Sequence, residues 1–145
     1  MLIKQLSVFL ENKKGRLLEI ARLMGKYNID IRALSMADTT DFGILRLILN
    51  DPDRAVTALK EEGFAVSLTE VIAIAVEDRP GGLANATQAL YDNDIEIEYM
   101  YAFNARKEEK GFVVMKTSAP ENSLEVFKKA DIATLSEKEV YDILG

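Results

Sequence analysis

Apolar residues along this chain follow two alternating rhythms, and the rhythms succeed one another twice in the same order. Leu6, Val8 and Leu10 alternate with Ser7 and Phe9, a two-residue period that predicts a strand with one buried face. After Gly15 the period lengthens. Leu17, Ile20, Ala21 and Met24 recur at helical spacing, and Asn28 stands where that helix ends. Ile29, Ile31, Ala33 and Ser35 alternate with Asp30, Arg32 and Leu34 to give a second strand. Thr39-Thr40-Asp41 is turn chemistry, and Gly43 to Leu49 is rich enough in Ile and Leu to predict a more buried third strand. Asp51-Pro52 opens a second helix, proline being suited to a first turn. Val56 and Leu59 lie on its inner side, Gly63 ends it, and Phe64 to Leu68 predicts a short fourth strand.

The second half repeats this succession. Val71 to Val76 reads as a strand. Pro80 or Gly81 opens a helix carrying Leu83, Ala86 and Leu90, and Ile95, Ile97, Tyr99 and Tyr101 alternate along the next strand. Gly111 to Thr117 is a further strand, Pro120 begins a helix carrying Leu124 and Phe127, and Asp131 to Leu135 forms a last strand. Ser136-Glu137-Lys138-Glu139 has capping-box spacing with Val140, Ile143 and Leu144 behind it, which predicts a short terminal helix absent from the first half. The halves also align residue by residue. At an offset of 66, Glu11, Gly15, Leu17, Ile29 and Ile31 meet Glu77, Gly81, Leu83, Ile95 and Ile97. After a two-residue insertion, Gly43, Pro52 and Lys60 meet Gly111, Pro120 and Lys128.

The reading is therefore an α+β chain of two ferredoxin-like βαββαβ units, residues 1–69 and 70–145, the second ending in a short helix. Each is expected to be a four-stranded antiparallel sheet with two helices on one face. About 70 residues make a marginal core, and no Pro/Gly/Ser-rich linker separates the halves, so the units are expected to pack together.

Composition narrows the chemistry. The chain of 145 residues has no Cys and no His. Disulfides, thiol catalysis, cysteine zinc sites and a Ser-His-Asp triad are thereby excluded. With 18 Lys+Arg against 24 Asp+Glu the net charge is −6, which argues against a binder of nucleic-acid phosphates. No apolar run is long enough to span a bilayer, and Met-Leu-Ile-Lys lacks the shape of a signal peptide. The expectation is a cytoplasmic protein that binds neither nucleic acid nor membrane.

The segment most suited to binding is the turn from first strand to first helix: Leu10-Glu-Asn-Lys-Lys-Gly-Arg-Leu17 and Val76-Glu-Asp-Arg-Pro-Gly-Gly-Leu83. Glycine admits close backbone approach, and the free N–H groups at a helix start suit a carboxylate. Asn12 or Asp78 offers an acceptor to an ammonium, and equally reads as a helix cap. Asp30 and Glu96, in alternating strands, read as solvated charge or as partners for a cationic group. Tyr99-Met100-Tyr101-Ala102-Phe103 reads as a sheet face packed on helices or on a partner subunit, with pocket lining as its other reading.

Asp78-x-Pro80-Gly81-x-Leu83, with its degenerate copy Asn12-x-x-Gly15-x-Leu17, resembles the signature of the ACT domain, a βαββαβ regulatory module that binds amino acids. The resemblance covers nearly the whole chain as two units in tandem. It implies an allosteric, amino-acid-binding protein with effectors held at the seam between units. In the serine-sensing type, an Asn of this loop and a polar residue 18 positions later grip the effector; the corresponding pairs here are Asn12 with Asp30 and Asp78 with Glu96. That type also has a His two residues before the loop Asn, where this chain has Leu10 and Val76, and Lys14 stands where the motif proline would be. The ligand-binding set implied is Asn12, Lys14, Gly15, Arg16, Leu17 and Asp30 in the first unit, and Asp78, Pro80, Gly81, Gly82, Leu83 and Glu96 in the second. No catalytic residue, metal ligand or cofactor is expected.

Function is accordingly expected to be non-catalytic sensing of a free amino acid by a homodimer, with a regulated enzyme in trans as partner. Carboxylates at positions 30 and 96 favour neutral or basic effectors, histidine or lysine ahead of acidic ones. The alternatives are an oligomerisation module that has lost its ligand, and a small enzyme working without His or Cys.

Overall fold

The structure, a computed structural model, describes residues 1–11, 13–38 and 41–144. Asn12, Thr39 and Thr40, singled out above, lie outside the described residues. Seven strands and five helices run in the order β1 (Ile3–Glu11), α1 (Arg16–Lys26), β2 (Ile31–Asp38), β3 (Phe42–Leu49), α2 (Pro52–Glu61), β4 (Ala65–Glu77), α3 (Ala84–Asp92), β5 (Ile97–Lys107), β6 (Lys110–Thr117), α4 (Pro120–Lys129), β7 (Thr134–Leu135) and α5 (Glu137–Leu144). The chain divides into two compact units, Lys4–Thr69 and Glu70–Gly145, with Met1–Ile3 counted in the second.

In the N-terminal unit β3 pairs antiparallel with β2 on one side and β1 on the other. The register sets Leu6 opposite Leu47 and Val8 opposite Leu45, so the alternating apolar positions share one face. That face is covered by both helices. Leu6, Val8, Leu10, Leu45, Leu47 and Leu49 form one core with Ile20, Leu23 and Met24 of α1 and Ala55, Ala58 and Leu59 of α2. Val66, from the first part of β4, packs on the same core. The C-terminal unit repeats the plan in the strand order β7-β4-β6-β5. Its core joins Ile72, Ile74, Val113 and Met115 to Ala86 and Leu90 of α3 and Val126 and Phe127 of α4. This is the expected α+β plan of two βαββαβ units.

Helix boundaries follow local chemistry. Pro52 starts α2 behind Asp51, whose side chain accepts from the Arg54 N–H at 3.2 Å. The expected capping box opens α5: the Glu139 N–H donates to Ser136 Oγ at 3.1 Å, and the Ser136 N–H donates to Glu139 Oε1 at 3.3 Å. Asn28 and Asp94 take matched left-handed conformations after α1 and α3, with φ of 55° and 58°.

The structure moves several expected boundaries. The strands foreseen at 64–68 and 71–76 are parts of one 13-residue strand, β4. The last strand shrinks to Thr134–Leu135, because Asp131 sits at φ 58° and the Ile132 N–H turns back to the Phe127 carbonyl at 2.9 Å to close α4. The first helix of the C-terminal unit begins at Ala84 rather than at Pro80 or Gly81.

Phe127 is fully buried among both helices and two strands of its core, whereas Tyr91 on α3 is 80% exposed. Phe127→Ala is expected to cost about 3–5 kcal/mol, and Tyr91→Ala to stay within about 0.5 kcal/mol. Urea unfolding of the two variants measures both.

Candidate functional site

The turn after the first strand of each unit is built on a left-handed glycine. Gly15 has φ 92° and Gly81 has φ 82°. Such a residue cannot continue a right-handed helix, so the chain makes a tight turn first and the helix starts beyond it. In the C-terminal unit the Arg79 N–H donates to the Glu77 carbonyl at 2.9 Å, Gly82 to Arg79 at 2.9 Å, and Ala84 to Gly81 at 3.0 Å. In the N-terminal unit Lys13 donates to Glu11 at 2.7 Å and Arg16 to Lys13 at 3.4 Å.

The adjacent glycine has a different role. A Cβ on Gly82 would stand 1.9 Å from the Glu77 carbonyl oxygen and 3.1 Å from that of Arg79. A Cβ on Gly81 would meet nothing within 4 Å. Close backbone approach in this loop is thus a property of Gly82 packing on its own turn, while Gly81 supplies the backbone conformation. Among the described residues, the N–H groups of Gly81 and Leu83 donate to no backbone acceptor at the start of α3.

Each turn borders a cavity within its own unit. In the C-terminal unit an open cavity of about 530 Å³ is lined by Val76 to Pro80, Leu83, Ala102 and Phe103 of β5, and Gly111 to Val113 of β6. In the N-terminal unit an open cavity of about 280 Å³ is lined by Leu10, Glu11, Lys13 to Leu17, Met36 of β2 and Gly43 of β3. The offsets of the repeat carry Leu10, Gly15 and Leu17 onto Val76, Gly81 and Leu83, and Met36 and Gly43 onto Ala102 and Gly111. The two cavities are therefore the same site built twice.

Of the residues singled out from sequence, Lys14, Gly15, Arg16 and Leu17 border the first cavity, and Asp78, Pro80 and Leu83 the second. Gly81 shapes the second loop, and Gly82 lies on its other side, in a separate cavity of about 450 Å³ beside α3. Asp30 and Glu96 are not brought to either loop cavity. Both precede their strands, at the opposite end of the sheet from the loop of their own unit. The Asp30 N–H donates to Asn50 Oδ1 at 2.9 Å and the Glu96 N–H to Ser118 Oγ at 3.0 Å. The exposed Asp30 carboxylate pairs with Arg32 at 3.4 Å. Met36, Gly43 and Gly111 were not foreseen; repeat alignment at Gly15/Gly81 and Gly43/Gly111 contains the signal. Ala102 and Phe103 do line the cavity, as one reading of the aromatic run had it.

A carboxylate anchors each loop to its strand. Glu11 pairs with Lys13 at 2.8 Å, and Glu77 with Lys110 at the start of β6. The lysine's hydrogen bond, and then its charge, holds each carboxyl below its ordinary value. The Asp78 N–H also donates to the Glu109 carbonyl at 2.9 Å. The second loop is thus fastened to the turn between β5 and β6. Among the described residues no group of three or more acidic side chains is disposed to hold a metal ion, and no helix is long and apolar enough to cross a membrane.

Each βαββαβ unit thus carries a glycine turn beside a cavity. The family model for the ACT domain pair matches residues 1–144, and the chain belongs to that family. The crystal structure of protein BT0572 from Bacteroides thetaiotaomicron is similar over 97% of this chain and 96% of that one, at 42% identity and a TM-score of 0.90. The regulatory subunit of aspartate kinase from Thermus thermophilus, ligand-free, shares the fold at 16% identity and a TM-score of 0.62, over 88% of this chain and 91% of that one. Its counterpart from Thermus flavus does so at 15% and 0.60, over 88% and 92%. Among curated proteins none matches the chain.

Two outcomes follow from the loop geometry. Gly81→Ala is expected to cost about 1–2 kcal/mol, the penalty of a side chain in a left-handed conformation. Gly82→Ala is expected to cost more, because backbone must move; denaturant midpoints rank the two. The Glu77 carboxyl is expected to titrate below its ordinary 4.5, and Lys110→Met to return it toward that value in a carboxyl-carbon NMR titration. With its folded value depressed, the pair stabilises the fold above the unfolded value and loses that contribution as pH falls through the folded one.

Proposed function

We propose that the chain is a non-catalytic, cytoplasmic sensor that binds a free amino acid at its strand-to-helix loops, works as a homodimer, and passes occupancy to a regulated enzyme in trans. The observation that carries this reading is the duplicated cavity beneath a glycine turn. At the C-terminal site the N–H groups of Gly81 and Leu83, which serve no backbone acceptor, suit an α-carboxylate. Asp78, which borders the same cavity, suits the ammonium. A zwitterion needs both in one place. Asp78 at the rim disfavours an acidic side chain beside it, so neutral and basic amino acids are the favoured effectors.

A thermal-shift screen of the native protein against the twenty amino acids tests the proposal. A ligand at one hundred times its Kd adds about 2.7 kcal/mol to the folded state and raises the midpoint. Gly81→Val is expected to abolish the shift while circular dichroism still reports a folded chain. A native midpoint that no amino acid moves rejects the sensor.

A further inference from the structure

We infer that the C-terminal loop cavity is the binding-competent one, that it selects an amino acid with an uncharged, apolar side chain, and that residue 102 sets its capacity. The inference rests on reading the chain as an amino-acid sensor. Because the two cavities are built from matched positions, their differences are informative. The C-terminal one holds about 530 Å³ and the N-terminal one about 280 Å³. Pockets for small ligands run from about 300 to 1,000 Å³, so the first falls within that range and the second below it. The matched apolar pair that loses most bulk is Met36 against Ala102: a flexible thioether lines one cavity where a single methyl lines the other.

The lining also divides by chemistry. Its charged members, Glu77, Asp78 and Arg79, are consecutive loop residues, and Glu77 is already engaged by Lys110. The strand side is apolar throughout, with Ala102 and Val113 on the helix-covered face of the sheet and Phe103 and Phe112, whose rings stack at 5.4 Å, on the other. A zwitterionic head held by the loop therefore directs its side chain at a wall with no side-chain partner for a charge. Burying lysine's ammonium or aspartate's carboxylate there is penalised, whereas a leucine-sized hydrocarbon gains by leaving water. This narrows the effector from neutral or basic to neutral and apolar.

Calorimetry on the full chain, with leucine, lysine and aspartate as probes, tests the inference. Leucine is expected to bind at one site per chain and more tightly than either charged amino acid. Ala102→Met is expected to weaken leucine at least about tenfold, the scale on which methylene-sized changes alter a hydrophobic pocket. Ala102→Val, a good strand former, gives an intermediate loss and serves if the larger substitution disturbs folding. Met36→Ala is expected to open a second leucine site. Tighter lysine or aspartate binding, two equal leucine sites in the native chain, or unchanged leucine affinity in a folded Ala102→Val would overturn the inference and leave the sensor reading standing. If none of the twenty amino acids binds the native chain, the sensor reading falls and the inference with it.

Discussion

In each unit the first strand ends pointing out of the sheet, and the chain must reverse into a helix that lies back across the same sheet. A left-handed glycine makes that reversal possible, at Gly15 and at Gly81. The turn delays the helix until Arg16 or Ala84. It leaves the N–H groups of Gly81 and Leu83 without a backbone acceptor and borders a space against the two neighbouring strands. The cavity, its donors and its rim charges all descend from this one conformation. Gly82 tightens it further, since its missing Cβ lets the Glu77 carbonyl come within 1.9 Å of where that atom would be.

The duplicated unit gives each feature an internal comparison. Glu11 and Glu77 occupy one repeat position and both are held by a lysine, but from different places. Lys13 is two residues away in the loop itself, while Lys110 comes from the far strand of a hairpin. The carboxylate is retained and its partner relocated, which argues that the anchored strand end matters more than the particular pair. The same holds for residues 30 and 96. Asp30 and Glu96 each donate a backbone N–H to a side-chain oxygen at the end of a neighbouring strand, from Asn50 in one unit and Ser118 in the other. Two chemically different acceptors filling one backbone vacancy point to a strand-opening role for these positions within their own units.

Much of the fold was legible because burial on one face imposes a period. The alternation of Leu6, Val8 and Leu10 is the set that packs in the core, and the helical spacing of Ile20 and Met24 does the same. The capping box at Ser136 was legible because capping is local chemistry. The moved boundaries were set by conformations that composition does not single out: left-handed Asp131 cut short the last strand, and the Gly81 turn delayed α3. For the candidate site, the loop residues were legible from the glycine and its recurrence. Gly82's approach to Glu77, the Lys110 anchor and the Met36 and Ala102 walls are contacts across the fold, which spacing along the chain does not encode. Asp30 and Glu96 drew attention by charge and count, yet β-strand direction carries them to the far end of the sheet from their own loops.

A second pair of matched cavities extends the comparison between the units. Beside α1, Glu19, Arg22, Leu23, Lys26, Glu62 and Phe64 border a space of about 360 Å³, and the Arg16 guanidinium lies 5.4 Å from the Phe64 ring centre. At the matched place beside α3, Asn85, Gln88, Ala89, Asp92, Ala130 and Ile132 border about 450 Å³. Gly82 takes the place of Arg16, Ile132 that of Phe64, and Ala130 that of Glu62. With Ala102 in place of Met36, four matched positions have less side chain in the C-terminal unit, and they flank the same loop from both sides. Core positions change volume in both directions: Ala86 stands for Ile20 and Val113 for Leu45, while Phe127 stands for Leu59 and Val126 for Ala58. A densely packed core balances loss of volume at one position by gain at another. In the N-terminal unit the loop's surroundings are filled by long side chains; in the C-terminal unit they are open around a loop stiffened by Pro80 and tied to the β5–β6 turn. Open space beside a restrained backbone is the combination that lets a small ligand enter without first ordering the site, because less conformational freedom is lost on binding.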